Sequence, residues 1–178
     1  MSGLLLEQHL VVARAQLGDE QAFQWLVHHY TPRLLWFVRK IGLSPVNADD
    51  VVQNVWLAAW SSLHRLRKVD RFRSWLYGIA RNKALQYVAQ VREVPIANFE
   101  SVPDAPDDSF FERYMPHLNE ALDRLSVIHR EILALRFLEE MTFEELSEAT
   151  GTSVGTIKSR LHNAKVALRE KLEVIVDD

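Results

Sequence analysis

The chain has 178 residues, 48% of them hydrophobic, and a formal net charge of −3 at pH 7, so it can hold one globular domain or two small ones. It contains no cysteine, which excludes a disulfide framework and a thiolate metal site. No apolar run approaches the roughly 20 residues of a membrane-spanning helix, and the N-terminus lacks the basic stretch typical of a signal peptide. We therefore expect a cytoplasmic protein without membrane insertion.

Helical periodicity begins near the N-terminus and predicts two helices in the first part of the chain. The first covers residues 4–16 and ends near Gly18, because glycine tolerates the backbone conformations that end a helix. Asp19 is suited to cap the second helix, since its side chain can accept from a free backbone N–H. Pro32 is expected either to kink this helix or to begin its continuation to Gly42.

Two further helices are predicted after these, separated by a basic loop. Asn47, followed by Asp50, is the predicted cap of the third helix. The segment 64–71 has no apolar periodicity and is predicted to be a loop, and a fourth helix follows over residues 72–90. The third helix is expected to bury Val51, Val52, Val55, Trp56, Ala59 and Trp60.

Residues 93–116 separate these helices from the rest of the chain. They hold four of the six prolines, and six acidic residues against one basic residue. Proline removes a backbone donor and disfavours helix at the preceding residue, so the segment is predicted to be an extended, mobile linker. The sequence thus predicts one domain at residues 1–92 and a second at 117–178.

The second domain contains a predicted helix-turn-helix. Thr142 and Glu145 have the spacing of a capping box, in which each side chain accepts from the backbone N–H of the other residue. Gly151 is predicted to end the first helix, and Thr152 or Ser153 to cap the second. The second helix carries an apolar stripe of Val154, Ile157, Leu161, Ala164 and Leu168.

Hydroxyls and cations lie off that stripe, and they suit a helix that reads DNA. Such side chains reach base edges and phosphates when a helix enters the major groove. An ordinary amphipathic helix with a solvated face has a similar composition, so this segment alone leaves both interpretations open. The residues off the stripe are Thr156, Lys158, Ser159, Arg160, His162, Asn163 and Lys165.

The modest net charge hides three blocks of different sign. Residues 1–92 hold 12 basic against 6 acidic residues, residues 93–116 hold 1 against 6, and residues 117–178 hold 8 against 12. Basic residues concentrate in 64–92, with 8 against a single acidic residue, and in 153–171, with 5 against one. Two basic surfaces joined by an acidic strip suggest two contacts on one polyanion.

No segment shows the alternation of a strand, so the chain is predicted to be all-α. Together its motifs resemble the extracytoplasmic-function (group 4) sigma factors of the sigma-70 family, which are initiation subunits of bacterial RNA polymerase. The resemblance covers nearly the whole chain and implies a sigma-2-like and a sigma-4-like domain. The matching segments are GDEQAF (18–23), YTPRLLWFV (30–38), ADDVVQNVWLAAW (48–60), FRSWLYGIARNKAL (72–85), LSVIHREILALRF (125–137) and MTFEELSEATGTSVGTIKSRLHNAKVALREKL (141–172).

The resemblance implies that the second helix of the helix-turn-helix reads the promoter −35 element. Its hydroxyl side chains would contact mostly phosphates, whereas Lys158 and Arg160 would address guanine or phosphates. The −35 candidates are Ser153, Thr156, Lys158, Ser159, Arg160 and His162.

The basic loop and the helix after it match the element of the family that opens the promoter −10 region. Cations would follow the backbone of the freed strand, and Phe72, Trp75 or Tyr77 would receive a flipped base, although the spacing of Trp75 favours a place in the core. The −10 candidates are Arg65, Arg67, Lys68, Arg71, Phe72, Arg73, Arg81, Asn82 and Lys83.

The third helix matches the segment that, in this family, docks on the clamp helices of the largest polymerase subunit. A helix that presents apolar residues beside polar groups suits such a helix-on-helix interface. About half of its apolar residues are expected in the core and the rest in the interface. The polymerase-binding candidates are Asp49, Asp50, Val52, Gln53 and Asn54.

The resemblance also implies the partners of the chain. Core RNA polymerase and promoter DNA are expected, as is an anti-sigma factor that holds many relatives inactive. The linker would thread toward the polymerase active centre, with Asp104, Asp107 and Asp108 in a cationic channel made for RNA, or would be a solvated tether. No cofactor, metal or catalytic residue is expected, because nucleotide addition belongs to the polymerase.

Three features depart from the family pattern. Asn54 stands where the family usually has Glu, and Asn163 and Lys165 stand where arginines are common. The fourth helix continues after Lys83 without the basic cluster that often ends it. These departures would suit a factor that needs a partner or reads an unusual promoter.

Other functions remain open at this stage. A stand-alone transcriptional regulator would explain the helix-turn-helix but not the basic loop, and a palindromic target would favour it. A sigma-like adaptor or decoy that does not bind polymerase is another possibility. An enzyme is disfavoured, because His28 and His29 are adjacent on a helix and point apart, and no metalloprotease, phosphate-loop or nucleophile-elbow motif occurs.

Overall fold

In this computed structural model the backbone is described for residues 2–91 and 115–176, and side chains for residues 7–90 and 118–175. All regular structure within those ranges is helical, which confirms the predicted all-α class. The described helices form two compact units. The first holds the four long helices of residues 2–91, and the second holds most of the helices of residues 115–176. Residues 93–114 of the predicted linker, with Asp104, Asp107 and Asp108, lie outside the described residues, whereas its last two residues, Met115 and Pro116, belong to the first turn of a helix.

The first unit contains four long helices, two of which begin at a capping side chain. They are α1 (Ser2–Gln16), α2 (Glu20–Ile41), α3 (Pro45–Ser62) and α4 (Phe72–Val91). The Asp19 carboxylate accepts from the backbone N–H of Ala22 at 3.0 Å, as predicted for the cap of α2. Pro32 lies inside α2, which continues through it without interruption.

The start of α3 differs from the prediction. Ser44, not Asn47, is its cap, and the Ser44 hydroxyl accepts from the backbone N–H of Asn47 at 3.3 Å. The reason lies in Pro45, which has no N–H to leave unsatisfied and a backbone angle already suited to the first turn. The helix therefore begins earlier than the polar residues at 47 and 50 suggest.

Aromatic rings fill the centre of the first unit. Tyr30 meets Phe72 edge to face with ring centroids 5.6 Å apart, and Phe37 meets Tyr77 in the same way at 5.1 Å. All four rings are buried. Burial of such rings contributes more to stability than most aliphatic contacts because each removes a large apolar area from water.

The prediction for the two tryptophans of α3 is half right. Trp56 is buried, and its indole N–H donates to the Thr31 hydroxyl at 2.9 Å. Trp60 is 47% exposed and packs one edge against Phe23, with ring centroids 4.6 Å apart. The expected burial of Trp60 is wrong because each step of four residues advances about 40° around a helix, and position 60 falls at the margin of the buried stripe.

Among the described residues, the second unit contains three whole helices and most of a fourth. They are α5 (Met115–Asp123), α6 (Val127–Leu133), α7 (Phe143–Thr150) and α8 (Val154–Val176), and a π-helical turn at Ala134–Leu138 extends α6. Their core is formed by Leu135, Met141, Leu146, Ile157, Leu161 and Ala164.

Local capping in the second unit follows the predicted pattern. Thr142 N–H donates to the Glu145 carboxylate at 2.8 Å, and Glu145 N–H donates to the Thr142 hydroxyl at 3.2 Å. Gly151 has a φ of +65°, the left-handed conformation that ends α7. Of the two predicted caps of α8, Ser153 accepts from the backbone N–H of Thr156 at 3.3 Å.

Candidate nucleic-acid and protein interfaces

The outer surface of α8 carries the predicted −35 residues. Ser153 and Thr156 are exposed, but their hydroxyls lie 2.9 Å apart and belong to the cap. The Ser159 hydroxyl donates to the Gly155 carbonyl at 3.1 Å within the helix. The Arg160 guanidinium, which is half-buried, donates to the Thr152 hydroxyl at 3.2 Å.

Helical geometry sorts the exposed side chains of α8 into a central strip and two edges. Residues recur every 100° around the helix, and the buried positions Ile157, Leu161 and Ala164 define the inner side. Directly opposite them lie Ser159, His162 and Asn163, all exposed. Lys158 and Lys165 border the inner side along one edge of the helix, and Arg160 borders it along the other.

The central strip includes one residue that the sequence did not place among the −35 candidates. Asn163 is exposed and lies one turn from Ser159 on the central strip. The sequence placed it off the apolar stripe and at a position where the family often has arginine. Its amide can both donate and accept, which is the pattern that matches adenine in the major groove.

The basic loop of the first unit is ordered by short turns rather than irregular. Two 3₁₀ turns, Leu63–Arg65 and Val69–Arg71, occupy most of the segment predicted as a loop. The side chain of Gln16, at the end of α1, donates to the carbonyls of Leu63 and Leu66 at 3.1 and 2.6 Å. The side chains that project from this framework as exposed cations are Arg65, Arg67 and Lys68.

The aromatic residues of α4 differ from what the sequence predicted. Phe72 and Tyr77 are buried, at 2% and 0% exposure, and pack against α2. Trp75, for which spacing favoured the core, is partly exposed and lies on one face of α4 with Ile79 and Asn82. The reversal arises because α2 covers the first two rings. Phe72 thus lies in the core that supports the loop, although the sequence also proposed it as a DNA contact.

The remaining −10 candidates differ in accessibility. Arg71, Arg73, Arg81 and Lys83 are partly buried, whereas Asn82 is exposed. Aliphatic stems can pack on a protein surface while the charged ends stay in solvent, so partial burial by itself does not prevent a cation from contacting a phosphate.

The outer face of α3 combines polar and apolar groups. Asp49, Asp50, Gln53 and Asn54 are exposed, and the Asn54 amide donates to the Asp50 carbonyl at 2.9 Å. Val52 is 3% exposed and belongs to the core, so it cannot contact a partner directly. The apolar side chains that share this outer face are Val46, Leu57 and Trp60, all exposed.

His29 of the first unit has a perturbed pKa. Packing lowers the pKa of His29 from its ordinary value, and the nearby positive charge of Arg33 adds to that effect. The imidazole stacks on Trp25 with ring centroids 4.8 Å apart. The neutral imidazole is therefore favoured in the folded chain.

Among residues 2–91 and 115–176, no group of three His, Cys, Asp or Glu side chains is arranged to hold a metal ion. No helix in that part of the chain is both long and apolar enough to cross a bilayer.

Comparison with known proteins identifies the family. The model of sigma-70 region 2 matches residues 26–93, and the model of sigma-70 region 4 matches residues 118–168. The chain is 32% identical over 193 aligned positions to the ECF RNA polymerase sigma-E factor of Escherichia coli K12, with 99% of each chain covered. It is 31% identical to the RNA polymerase sigma factor NccH of Alcaligenes xylosoxydans xylosoxydans, with 90% of this chain and 91% of that one covered. The chain belongs to the extracytoplasmic-function sigma factors of the sigma-70 family.

Solved structures of similar chains contain a second, bound protein. The sigma factor RpoE of Bartonella quintana, in complex with the anti-sigma factor NepR, has a TM-score of 0.70 at 26% identity, with 85% of this chain and 97% of that one covered. CnrH, in complex with the cytosolic domain of CnrY, has a TM-score of 0.64 at 27% identity, with 96% and 97% covered.

Proposed function

We propose that this protein binds bacterial core RNA polymerase and directs it to specific promoters, where it starts transcription. The observation that carries this function is family membership over both domains, since sigma-70 regions 2 and 4 both match and relatives align over nearly their whole length. A stand-alone regulator would need only the helix-turn-helix. A stand-alone regulator would have no need of the ordered basic loop of residues 63–71.

In this proposal α8 enters the major groove of the −35 element. Its central strip of Ser159, His162 and Asn163 carries hydrogen-bonding groups toward base edges, and the edge cations contact phosphates. Ser153 and Thr156 begin the helix, so their backbone and hydroxyl groups meet the phosphates near its N-terminus. The Thr152 hydroxyl accepts a hydrogen bond from Arg160 and so restricts its guanidinium before DNA binds. The guanidinium therefore loses less conformational entropy on binding.

The basic loop and α4 act on the −10 region. Opening a duplex sacrifices base stacking, and a protein lowers that cost by capturing the separated strand. Arg65, Arg67 and Lys68 project from the ordered loop and follow the strand backbone. The partly exposed Trp75, rather than buried Phe72, offers a ring face to an unstacked base. Further polar contacts to the DNA come from the remaining −10 candidates of this region. They are Arg71, Arg73, Arg81, Asn82 and Lys83.

The outer face of α3 is the polymerase contact. Exposed apolar side chains beside acidic and amide groups suit a helix that packs on another helix. Asp49, Asp50, Gln53 and Asn54 supply the polar contacts, and Leu57 and Trp60 supply apolar area. Val52 contributes indirectly by holding α3 in the core.

The remaining features of the proposal concern regulation and chemistry. The structure of RpoE in complex with the anti-sigma factor NepR supports a similar anti-sigma partner for this chain. The protein acts in the cytoplasm, where its polymerase is found. It carries no catalytic residue, cofactor or metal of its own, because the polymerase performs nucleotide addition.

The test is co-elution of the chain with bacterial core RNA polymerase, followed by transcription from promoters selected out of a genomic library. Asp50→Ala with Gln53→Ala removes two exposed polar groups of α3, and Glu7→Ala with Gln21→Ala removes two on α1 and α2 as the matched control. We expect the first pair to abolish co-elution at micromolar concentration and the control to bind normally. Failure of the folded, inhibitor-free wild type to co-elute would reject the sigma function.

A further inference from the structure

Two phenylalanine rings in the second unit lie beneath lysines of α8. The Lys158 ammonium is 5.4 Å from the centroid of the Phe143 ring, at the start of α7. The Lys165 ammonium is 5.3 Å from the centroid of the Phe137 ring, in the π-helical turn. Both distances lie within the range in which a ring face attracts a cation. Each lysine is exposed, and the Phe137 ring is 54% exposed.

A third cation shares one of these rings. The Arg136 guanidinium carbon is 5.2 Å from the centroid of Phe143, and the same guanidinium donates to the Met141 carbonyl. Arg136 is partly buried, so this hydrogen bond and the ring together hold it in one place. Phe143 is thus in contact with one cation from the π-helical turn and another from α8.

The two lysines lie on one edge of α8. They are seven residues apart, which is two helical turns and about 10 Å along the axis. Both lie beside the buried stripe rather than on the central strip that carries Ser159 and His162. A cation at the edge of a helix lying in the major groove is nearer to the phosphates than to the base edges.

Ring contacts of this kind prepare a lysine for phosphate binding. A free lysine loses up to about 2 kcal/mol of rotamer freedom when its ammonium is fixed. The ring attracts the ammonium through its face without taking a hydrogen bond, so the N–H donors stay available for phosphate oxygens. Part of the ordering then precedes DNA binding, which increases affinity.

We propose that Phe143 and Phe137 are positioning residues that pre-order Lys158 and Lys165 against DNA phosphates, so that this edge of α8 supplies affinity without base discrimination. The inference rests on the proposed −35 function of α8. It assigns Lys158 to phosphate rather than guanine, an alternative that the sequence left open. It also gives a role to Lys165, which the sequence placed off the apolar stripe but not among the −35 candidates.

The experiment measures the affinity of the holoenzyme for duplex DNA carrying its selected −35 element. Phe137→Leu keeps an apolar side chain but removes the ring face, and Lys165→Ala removes the cation. We expect Phe137→Leu to weaken binding roughly two- to five-fold, the range of an exposed cation–π contact. In the Lys165→Ala background the same change should have almost no further effect. Phe137→Tyr keeps the ring face and should restore wild-type affinity.

Salt dependence separates the role of the ring from that of the charge. Lys165→Ala should reduce the slope of log K against log salt by about one, because one phosphate contact is lost. Phe137→Leu should lower affinity while leaving the slope close to that of the wild type. Phe143→Leu should behave in the same way with Lys158, but with a residual effect in the Lys158→Ala background because Arg136 also contacts that ring.

Several outcomes would overturn the inference. Independent, multiplying effects of Phe137→Leu and Lys165→Ala would mean that the ring does not act through the lysine. A changed preference among −35 sequences in either lysine variant would assign the lysines to base reading. A loss of core polymerase affinity in Phe137→Leu would instead make the ring a protein contact. If wild-type holoenzyme itself does not discriminate any −35 sequence, the proposed function fails as well.

Discussion

Removing the side-chain amide of Gln16 should loosen the basic loop without changing any charge. Gln16 lies at the end of α1 and donates to the carbonyls of Leu63 and Leu66 at 3.1 and 2.6 Å. Gln16→Met keeps a side chain of similar length but removes both donors. The predicted result is a less stable first domain and slower promoter opening, because the loop cations lose their fixed framework.

The magnitude follows from the partners that remain. The Leu63 carbonyl also accepts from the backbone N–H of Leu66 at 3.0 Å, so it stays satisfied when Gln16 is replaced. The main loss is therefore the short bond to Leu66, which is partly buried. Loss of a partly buried hydrogen bond costs about 1–2 kcal/mol, and each kcal/mol lowers the melting temperature of a domain of this size by about 4–8 °C.

Two measurements test this reasoning. Circular dichroism gives the melting temperature, and permanganate footprinting gives the rate at which unpaired thymines appear in the −10 region. Gln21→Met, an exposed glutamine on α2, is the matched control and should change neither quantity. If Gln16→Met lowers the melting temperature but leaves promoter opening at the wild-type rate, the fixed loop is not what the −10 function needs. If it changes neither, the two hydrogen bonds do not hold the loop.

Three further predictions concern the caps, the DNA face and pH. Thr142→Ala removes one half of a capping box and should destabilise the second domain by about 1 kcal/mol, whereas Thr142→Ser should not; equal unfolding midpoints in urea would contradict this. Asn163→Ala should relax the preference at one base pair of the −35 element by roughly 1–3 kcal/mol, and a uniform loss over all sequences in a competition assay would instead assign Asn163 to phosphate. The pKa of His29 is lowered in the folded state, so the unfolded chain binds more protons, and stability should fall as the pH drops below about 6.5. In His29→Gln the unfolding free energy should depend less steeply on pH between pH 7 and the lowered pKa. An unchanged slope would show that His29 does not cause this pH dependence.

The sequence determined the features that depend on residues a few positions apart. The cap at Asp19, the reciprocal bonds of Thr142 and Glu145, and the helix end at Gly151 all lie where the sequence placed them. Each involves only neighbouring backbone and one short side chain, so local chemistry suffices to predict it. The all-α class and the family resemblance followed from the same local patterns in their order along the chain.

Only the tertiary structure decided which residues of those helices face a neighbour. Tyr77 is buried because Phe37, forty residues earlier, covers it, whereas Trp75 on the same helix is partly exposed. The loop is ordered by Gln16, fifty residues from Leu66 in sequence. The lysines of α8 lie over rings from the π-helical turn and from α7. Periodicity along one helix defines its faces, but burial and orientation also depend on which other segment packs there, and that information is spread over the whole chain.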